Sequence, residues 1–498
     1  MRCLNVAKGS AGKDVKMKVN VGCNALTMSE LASICGGTLC LAGGQDNRNL
    51  AFSTVCTDSR ETEKGSLFVA LGGERVDGHD YIGAALARGG ECILCERIPE
   101  NLNDQKYVAL VVNDTLRAIG ELAKAYDRRT NNKKIAVTGS VGKTTTKEFI
   151  AAVLQENLRL HKTEGNYNST LGMPLSLLTK TEDTQVSVLE MGMSGFGEIE
   201  YLSQIAEPDI AVITNIGSSH MEYLGSRENI CRAKLEVVKG LKADGLIFLD
   251  GDEPLLRNRK ELEGRNCQYV GFSPDCDVKA SNVRVGMSKT CFDVTYKGVT
   301  AKEISIPILG EHYVYAALYA YAIAVTMNLD EDIIRRGLNN FRSVGMRQTI
   351  FEIGDITVIQ DCYNASPESM KASIGVLNKL VRIREFGRMT ALLGDMYELG
   401  VCSYDAHENI GREFARRGGA ALYTFGKLAD IIADGAVLGG MQKESVFRNV
   451  DLKSPEISGE MLINTLQPGD VLLVKASRAV RAEKIIEYLR ENEARLRH

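Results

Sequence analysis

The run Ala136-Val137-Thr138-Gly139-Ser140-Val141-Gly142-Lys143-Thr144-Thr145-Thr146 constrains the fold more than any other stretch of this chain. It continues the apolar Ile135 to Val137 and reads as strand, glycine loop and helix. Two glycines three residues apart let the backbone turn its N–H groups toward one point, and the start of the next helix adds a positive partial charge. Such a loop suits phosphate oxygens, with Lys143 reaching the β and γ phosphates and Thr144 offering a hydroxyl to Mg²⁺. A strict phosphate-loop pattern would place glycine where Val137 stands. An ordinary glycine turn with Lys143 in solvent is therefore the plain alternative.

With 498 residues, 44% of them hydrophobic and 25% charged, the chain can bury cores in about two to four domains. Its net charge of −4 gives no general drive toward nucleic acid or an anionic membrane surface. Anionic ligands must then be held by locally placed cations, and no nucleic-acid partner is expected. The 13 cysteines are odd in number and scattered without metal-like pairing, which suits a reducing cytoplasm. Cys92 and Cys95 fall in the strand-like Glu91-Cys92-Ile93-Leu94-Cys95, where they point to opposite faces, and core packing is predicted for both. No segment approaches about 18 consecutive apolar residues, so no membrane span is expected. Residues 1–24 carry lysines and glycines without an apolar signal core, and a flexible N-terminal extension of a cytoplasmic protein is expected there.

Glycine-rich turns separate β-type runs from amphipathic stretches, the alternation of α/β domains with parallel sheets. Three blocks follow. The first, 25–114, contains Thr57-Asp58-Ser59-Arg60 and Gly78-His79-Asp80-Tyr81. The second, 115–341, holds the glycine loop and the apolar runs Val186 to Glu190, Ile210 to Asn215 and Leu246 to Asp250. These runs end in polar residues, at the strand ends beyond which ligands sit in doubly wound sheets. The third, 342–498, alternates Thr357 to Ile359, Met389 to Leu393 and Val471 to Val474 with helical stretches.

Several polar residues stand out against this frame. Glu190 closes an apolar run, a position suited to a carboxylate that holds Mg²⁺ or one that merely faces water. His220 follows Thr214-Asn215-Ile216-Gly217 at another strand end, where a histidine is either a ligand or solvated. Lys234 lies beside Ala233 and Val237 in a helix-like run, where lysines snorkel or pair. Asp361-Cys362-Tyr363-Asn364-Ala365-Ser366-Pro367-Glu368-Ser369-Met370 makes a polar strand-to-helix junction with Pro367 in the first turn. Arg347 and Lys475-Ala476-Ser477-Arg478 add cations.

Thr138 to Thr145, Glu190-Met191-Gly192, Thr214 to Gly217 with His220, Ala233-Lys234-Leu235-Glu236, Arg347 and Asp361 to Met370 occur in the order found in Mur ligases. From Leu26 to the C-terminus the chain resembles that family, and its Asp-x-Tyr-Asn-Ala-x-Pro-x-Ser-Met segment resembles the branch that adds D-alanyl-D-alanine. The resemblance implies a three-domain α/β fold. A central P-loop ATPase-like doubly wound sheet would be flanked by an N-terminal α/β UDP-binding domain and a C-terminal Rossmann-like α/β domain. It also implies ATP-dependent, Mg²⁺-requiring amide formation between UDP-N-acetylmuramoyl-tripeptide and D-alanyl-D-alanine, through an acyl phosphate, by a monomer.

Carried over residue by residue, Gly139, Ser140, Gly142, Lys143, Thr144, Thr145, Arg347 and Asp361 would bind ATP. Ser59, Arg60, Thr163, Asn166 and Asn168 would receive the UDP-sugar, and Tyr363 and Asn364 the dipeptide. Lys143, Glu190, His220 and Lys234 would be catalytic. Thr144, Glu190, His220 and, once carbamylated, Lys234 would hold metal. The chain departs from the family pattern at Tyr313 and Ala316, where asparagines are usual, at Ser169 and Ser366, likewise, and at Ala476, where glycine is. A non-catalytic nucleotide-sugar-binding relative, and a ligase of the same fold with another acceptor such as a folylpolyglutamate synthase, both stay open at this point.

Overall fold

The computed structural model describes residues 17–43, 47–73, 76–100, 102, 106–448 and 454–497. Three α/β units follow one another along the chain. The first sheet has six strands in the spatial order Lys18–Asn20, Thr54–Cys56, Ser66–Val69, Cys92–Cys95, Tyr107–Val111 and Thr38–Ala42. Its inner pairs are parallel and its two edge pairs antiparallel. The flexible extension expected over 1–24 does not hold from residue 17 on. Lys18–Asn20 pairs with Thr54–Cys56, and Met17, Val19 and Val21 are buried, because their alternation puts one apolar side chain in every two against the core. Residues 1–16 lie outside the described residues. Cys92 and Cys95 are buried in separate clusters on opposite faces of their strand, as predicted.

The middle sheet has nine strands, ordered Leu160–Lys162, Val186–Glu190, Lys133–Thr138, Ile210–Ile213, Leu246–Asp250, Asn266–Gly271, Val278–Val285, Thr290–Tyr296 and Val299–Ile306. The first seven run parallel, and the last two pairings, of Thr290–Tyr296 with its neighbours on either side, are antiparallel. Lys133–Thr138 is buried from Lys134 onward, as a strand covered by helices on both faces must be. Chain direction across the sheet reverses at this strand, with Val186–Glu190 on one side and Ile210–Ile213 on the other. The crevice at such a reversal lies beyond the strands' carboxyl ends, and the glycine loop opens into it.

Helix Thr115–Asp127, which the sequence assigns to the middle block, packs on Met28–Cys35 of the first unit as well as on Gly172–Leu178 and Glu198–Ala206 of the second. One apolar cluster runs from Leu26 and Leu110 through Ile119 to Leu177, Leu202 and Ile247. The boundary at 114/115 is therefore no break in packing.

The third sheet is ordered Thr349–Ile353, Ile356–Gln360, Val471–Lys475, Met389–Gly394, Ala421–Phe425 and Val446–Phe447, parallel except for the first pair. Leu309 of the middle unit is buried within the core of the third, and Gln348 Nε2 donates to its carbonyl at 2.5 Å. The third unit is thereby seated against the mouth of the glycine loop.

Candidate active site

Strand Lys133–Thr138 delivers the loop and helix Lys143–Leu154 leaves it. Gly142 is the N-cap at φ +83, a left-handed conformation that favours glycine. Gly139 is at φ +144, and a Cβ there would fall 1.9 Å from Thr214 Oγ1. The neighbouring strand end clamps the loop. Asn215 accepts from Ser140 N–H with its carbonyl (3.1 Å) and from Val141 N–H with Oδ1 (2.9 Å), while Thr214 Oγ1 donates to Val141 O (2.6 Å). Lys143 Nζ donates to Gly139 O at 2.8 Å and Ser140 O at 3.3 Å. Burial, and then the charge of Arg347, lower the Lys143 pKa, against the raising effect of Glu190 and Glu398.

Thr144 Oγ1 donates to Glu190 Oε2 at 2.8 Å, and Asn168 Nδ2 donates to Glu190 Oε1 at 2.7 Å. Thr163 Oγ1 accepts from the Glu190 N–H at 2.9 Å, so Thr144 and Asn168 meet on one buried carboxylate while Thr163 holds its backbone. Asn166 does not join them. Its side chain is exposed, and it accepts from the Asn168 N–H with its carbonyl. Lys147, which sequence reasoning missed, is fully buried one helical turn after Lys143, 3.0 Å from Glu148 and 3.8 Å from Glu190, and donates to Thr163 O. Its place four residues beyond Lys143, on the same helix face, was a signal available in the sequence.

His220, in a left-handed conformation at φ +65, faces a carboxylate the sequence reading did not name. Its Nδ1 lies 2.7 Å from Glu398 Oε2 of the third unit. Burial lowers the His220 pKa, Glu398 opposes this, and the charges of Lys234 and Lys143 add to it. Lys234 is fully buried and its Nζ has no hydrogen-bond partner. Burial and then the charge of Lys143 push its pKa well below the ordinary lysine value. An unpaired ammonium in such a place is costly, which favours the neutral amine.

The third unit closes over the loop. Arg347 Nη2 donates to Thr144 Oγ1 at 3.2 Å, and its guanidinium stacks 3.7 Å from the centre of the Tyr363 ring. Glu368 Oε1 accepts from Ser218 N–H at 3.0 Å and from its hydroxyl at 2.7 Å. Asp361 is engaged inside its own unit, accepting from Lys475 Nζ at 2.6 Å and Ser373 Oγ at 2.5 Å. Burial would raise its pKa, but Lys475 outweighs burial and holds the carboxyl below its usual range. Asn364 is exposed and its carbonyl accepts from Lys475 at 3.1 Å. Tyr313 is buried against His312, ring centres 4.1 Å apart, in the first turn of helix His312–Thr326.

On the first unit, Ser59 is buried and Arg60 pairs with Asp58 at 2.8 Å in the turn Ser59–Glu61. Tyr167 packs against the apolar cluster shared by the first and middle units, which brings the Thr163 to Asn168 segment toward the first unit. Three units thus face one crevice with cations grouped at the loop and a hydroxyl–carboxylate pair beside it. Hard oxygen donors of this kind suit Mg²⁺, which takes one or two protein ligands and completes its shell with phosphate and water. Among the described residues no group of three or more His, Cys, Asp or Glu stands ready as a closed metal cage.

Three family models match the chain. The "Mur ligase family, catalytic domain" covers residues 51–127, the "Mur ligase middle domain" 137–324, and the "Mur ligase, glutamate ligase domain" 346–478. A UDP-N-acetylmuramoyl-tripeptide--D-alanyl-D-alanine ligase of Bacillus subtilis (strain 168) is 38% identical over 467 residues, covering 94% of this chain and 98% of the relative. Its namesake from Escherichia coli (strain K12) is 30% identical over 473 residues, 94% and 99% of the two chains. Among solved structures, MurF from Acinetobacter baumannii superposes with a TM-score of 0.84 at 27% identity, over 95% of this chain and all of that one. The MurF ligase from Thermotoga maritima in complex with ADP superposes with a TM-score of 0.77 at 30% identity, covering 88% and 97%.

Proposed function

The chain belongs to the Mur ligase family, and we propose from this premise that it joins D-alanyl-D-alanine to UDP-N-acetylmuramoyl-tripeptide, with ATP converted to ADP and phosphate. This is a step of peptidoglycan precursor synthesis. The observation that carries the reading is the meeting of Arg347 and Tyr363 from the third unit with Thr144 at the glycine loop. A simple nucleotide hydrolase would not need that convergence.

A carboxylate is a poor acyl donor because its leaving group would be oxide. Transfer of the γ-phosphoryl group makes it an acyl phosphate, which the amine then attacks with loss of phosphate. The protein's part is chiefly to position the reactants and to neutralise charge. Gly139 to Thr145 would cradle the triphosphate with backbone N–H groups, and Lys143 would leave the loop carbonyls for the phosphates. Arg347 would meet the phosphates from the opposite side, with Tyr363 fixing its plane. Thr144 and Glu190 would hold Mg²⁺, which supplies charge neutralisation on the phosphates. Their contact at 2.8 Å and the burial of Glu190 support this assignment.

Lys234 fits the role of a carbamylated lysine, since burial without a hydrogen-bond partner favours the neutral amine, the form that combines with CO₂. With His220 it would then present a second metal site. Thr163 and Asn168, which brace Glu190, would face the muramoyl end of the donor, and Ser59 and Arg60 the uridine end. Asp361 would act at the nucleotide through the Lys475 pair that fixes it, and Asn364 at the dipeptide. No described helix is long and apolar enough to cross a membrane, and the described cysteines are all free, which supports a cytoplasmic setting.

The test is phosphate release with ATP, Mg²⁺, UDP-N-acetylmuramoyl-tripeptide and D-alanyl-D-alanine, each omitted in turn. Release should require all four and be abolished in Lys143→Ala. Release that persists without the dipeptide, or that needs glutamate instead, would overturn the reading.

A further inference from the structure

Helix Pro367–Arg384 carries its charges differently from the other exposed helix surfaces of this chain. Arg335, Arg412 and Arg417 each bond the glutamate four residues earlier, the arrangement that stabilises a helix surface. On Pro367–Arg384, by contrast, Lys379 and Arg382 stand three residues apart as like charges, and Lys371 lies about two turns before Lys379 on the same face. Like charges at the first of these spacings destabilise a helix. All three side chains are exposed, and none has a hydrogen-bond or ion-pair partner among the described residues. Glu368, three residues before Lys371, accepts instead from Ser218 of the middle unit.

These three cations line a hollow of about 450 Å³ between the middle and third units. Ala372 and Gly375 leave room along the helix, and a Cβ at Gly375 would fall 3.5 Å from Arg417 Nη1, which sets a fourth cation at the floor. Arg417 bonds Glu413 through Nε, and that carboxylate is not part of the lining. The opposite wall is Val285 with the turn Gly310 to His312. Glu311 is the one carboxylate of the lining, at the start of helix His312–Thr326, whose first N–H groups add a positive partial charge. None of the residues assigned above to ATP, the donor or the dipeptide lines this hollow. A chain of net charge −4 that gathers four cations around one carboxylate has built a local positive field there.

We propose that the hollow binds a small phosphate-bearing anion, separate from the nucleotide at the glycine loop, with Lys371, Lys379, Arg382 and Arg417 as its counter-charges. Its volume falls in the range of small-molecule sites. One wall belongs to each unit, so the bound anion adds a tie between them and stabilises the protein by binding only its folded form. The inference goes beyond the ligase reading and does not depend on it, since the site is read by binding and not by turnover.

Isothermal titration of the full chain with inorganic pyrophosphate tests this, with the glycine loop filled by a saturating non-hydrolysable ATP analogue and Mg²⁺. Binding at one site per chain is expected. It should weaken on the order of tenfold or more in Lys379→Glu/Arg382→Glu, and stay within about twofold in Lys443→Glu/Lys484→Glu, which makes the same charge change on exposed lysines outside the hollow. Pyrophosphate should also raise the melting temperature of the wild type and of the Lys443→Glu/Lys484→Glu control, and not that of Lys379→Glu/Arg382→Glu. All four substituted side chains are exposed, so both double variants should fold. Absence of pyrophosphate binding once the analogue is present, or an equal loss in the two double variants, would overturn the proposal.

Discussion

His161 shows how far a single residue's environment departs from what its identity suggests. It is buried in Leu160–Lys162 with Nε2 2.9 Å from Ser176 O, and burial lowers its pKa to about 4. Its folded-state value lies below the unfolded one, so its contribution is complete above about pH 6.5 and is lost as pH falls toward 4. The unfolding midpoint of the ligand-free protein should therefore drop between pH 6.5 and 4.5. His161→Gln should make that drop shallower, and an equal drop in the variant would refute the assignment. The same scale decides the catalytic residues. The sequence names Lys143, Glu190, His220 and Lys234 but says nothing of Lys234 being fully buried without a partner, nor of Lys147 beneath Glu190, because burial depends on neighbours distant along the chain.

The glycine loop was the element most legible in the sequence, since strand, loop and helix are consecutive and local chemistry dictates each. Its two glycines nevertheless do different work. Gly142 has open space where a Cβ would go and a left-handed backbone, so Gly142→Ala should cost about 1–2 kcal/mol of strain. Gly139→Ala would drive a methyl into Thr214 Oγ1, breaking the 2.6 Å bond to Val141 O that clamps the loop. Its melting temperature should fall further than that of Gly142→Ala, and the reverse order would show that the clamp is unimportant. Asn215, the other half of the clamp, was visible as part of a motif, but its two bonds to the loop were not. The N-terminal strand Lys18–Asn20 was missed because three residues with one buried side chain carry too little periodicity to read, and Thr54–Cys56 alone gives them a partner.

Across the whole molecule, the polar contacts of the third unit with the second near the crevice include Arg347 to Thr144, Glu368 to Ser218, Glu398 to His220 and the Glu222 N–H to the Glu398 carbonyl. Exchange of substrates requires such contacts to open and re-form, as in other enzymes whose sites assemble on closure. The Arg347→Ala/Glu368→Ala double variant should populate open arrangements, read as a larger radius of gyration by small-angle scattering without ligands. An unchanged radius would assign closure to the apolar seat around Leu309. By itself the sequence determined the α/β class, the succession of three α/β units and the phosphate-binding loop, because each follows from periodicity and turn chemistry within a few consecutive residues. Only the tertiary structure decided that Glu398 stands at His220, that Lys147 supports Glu190 and that the first two units share one core. Those relations join residues 40 to 200 positions apart, and packing of distant surfaces, not local propensity, brings such residues together.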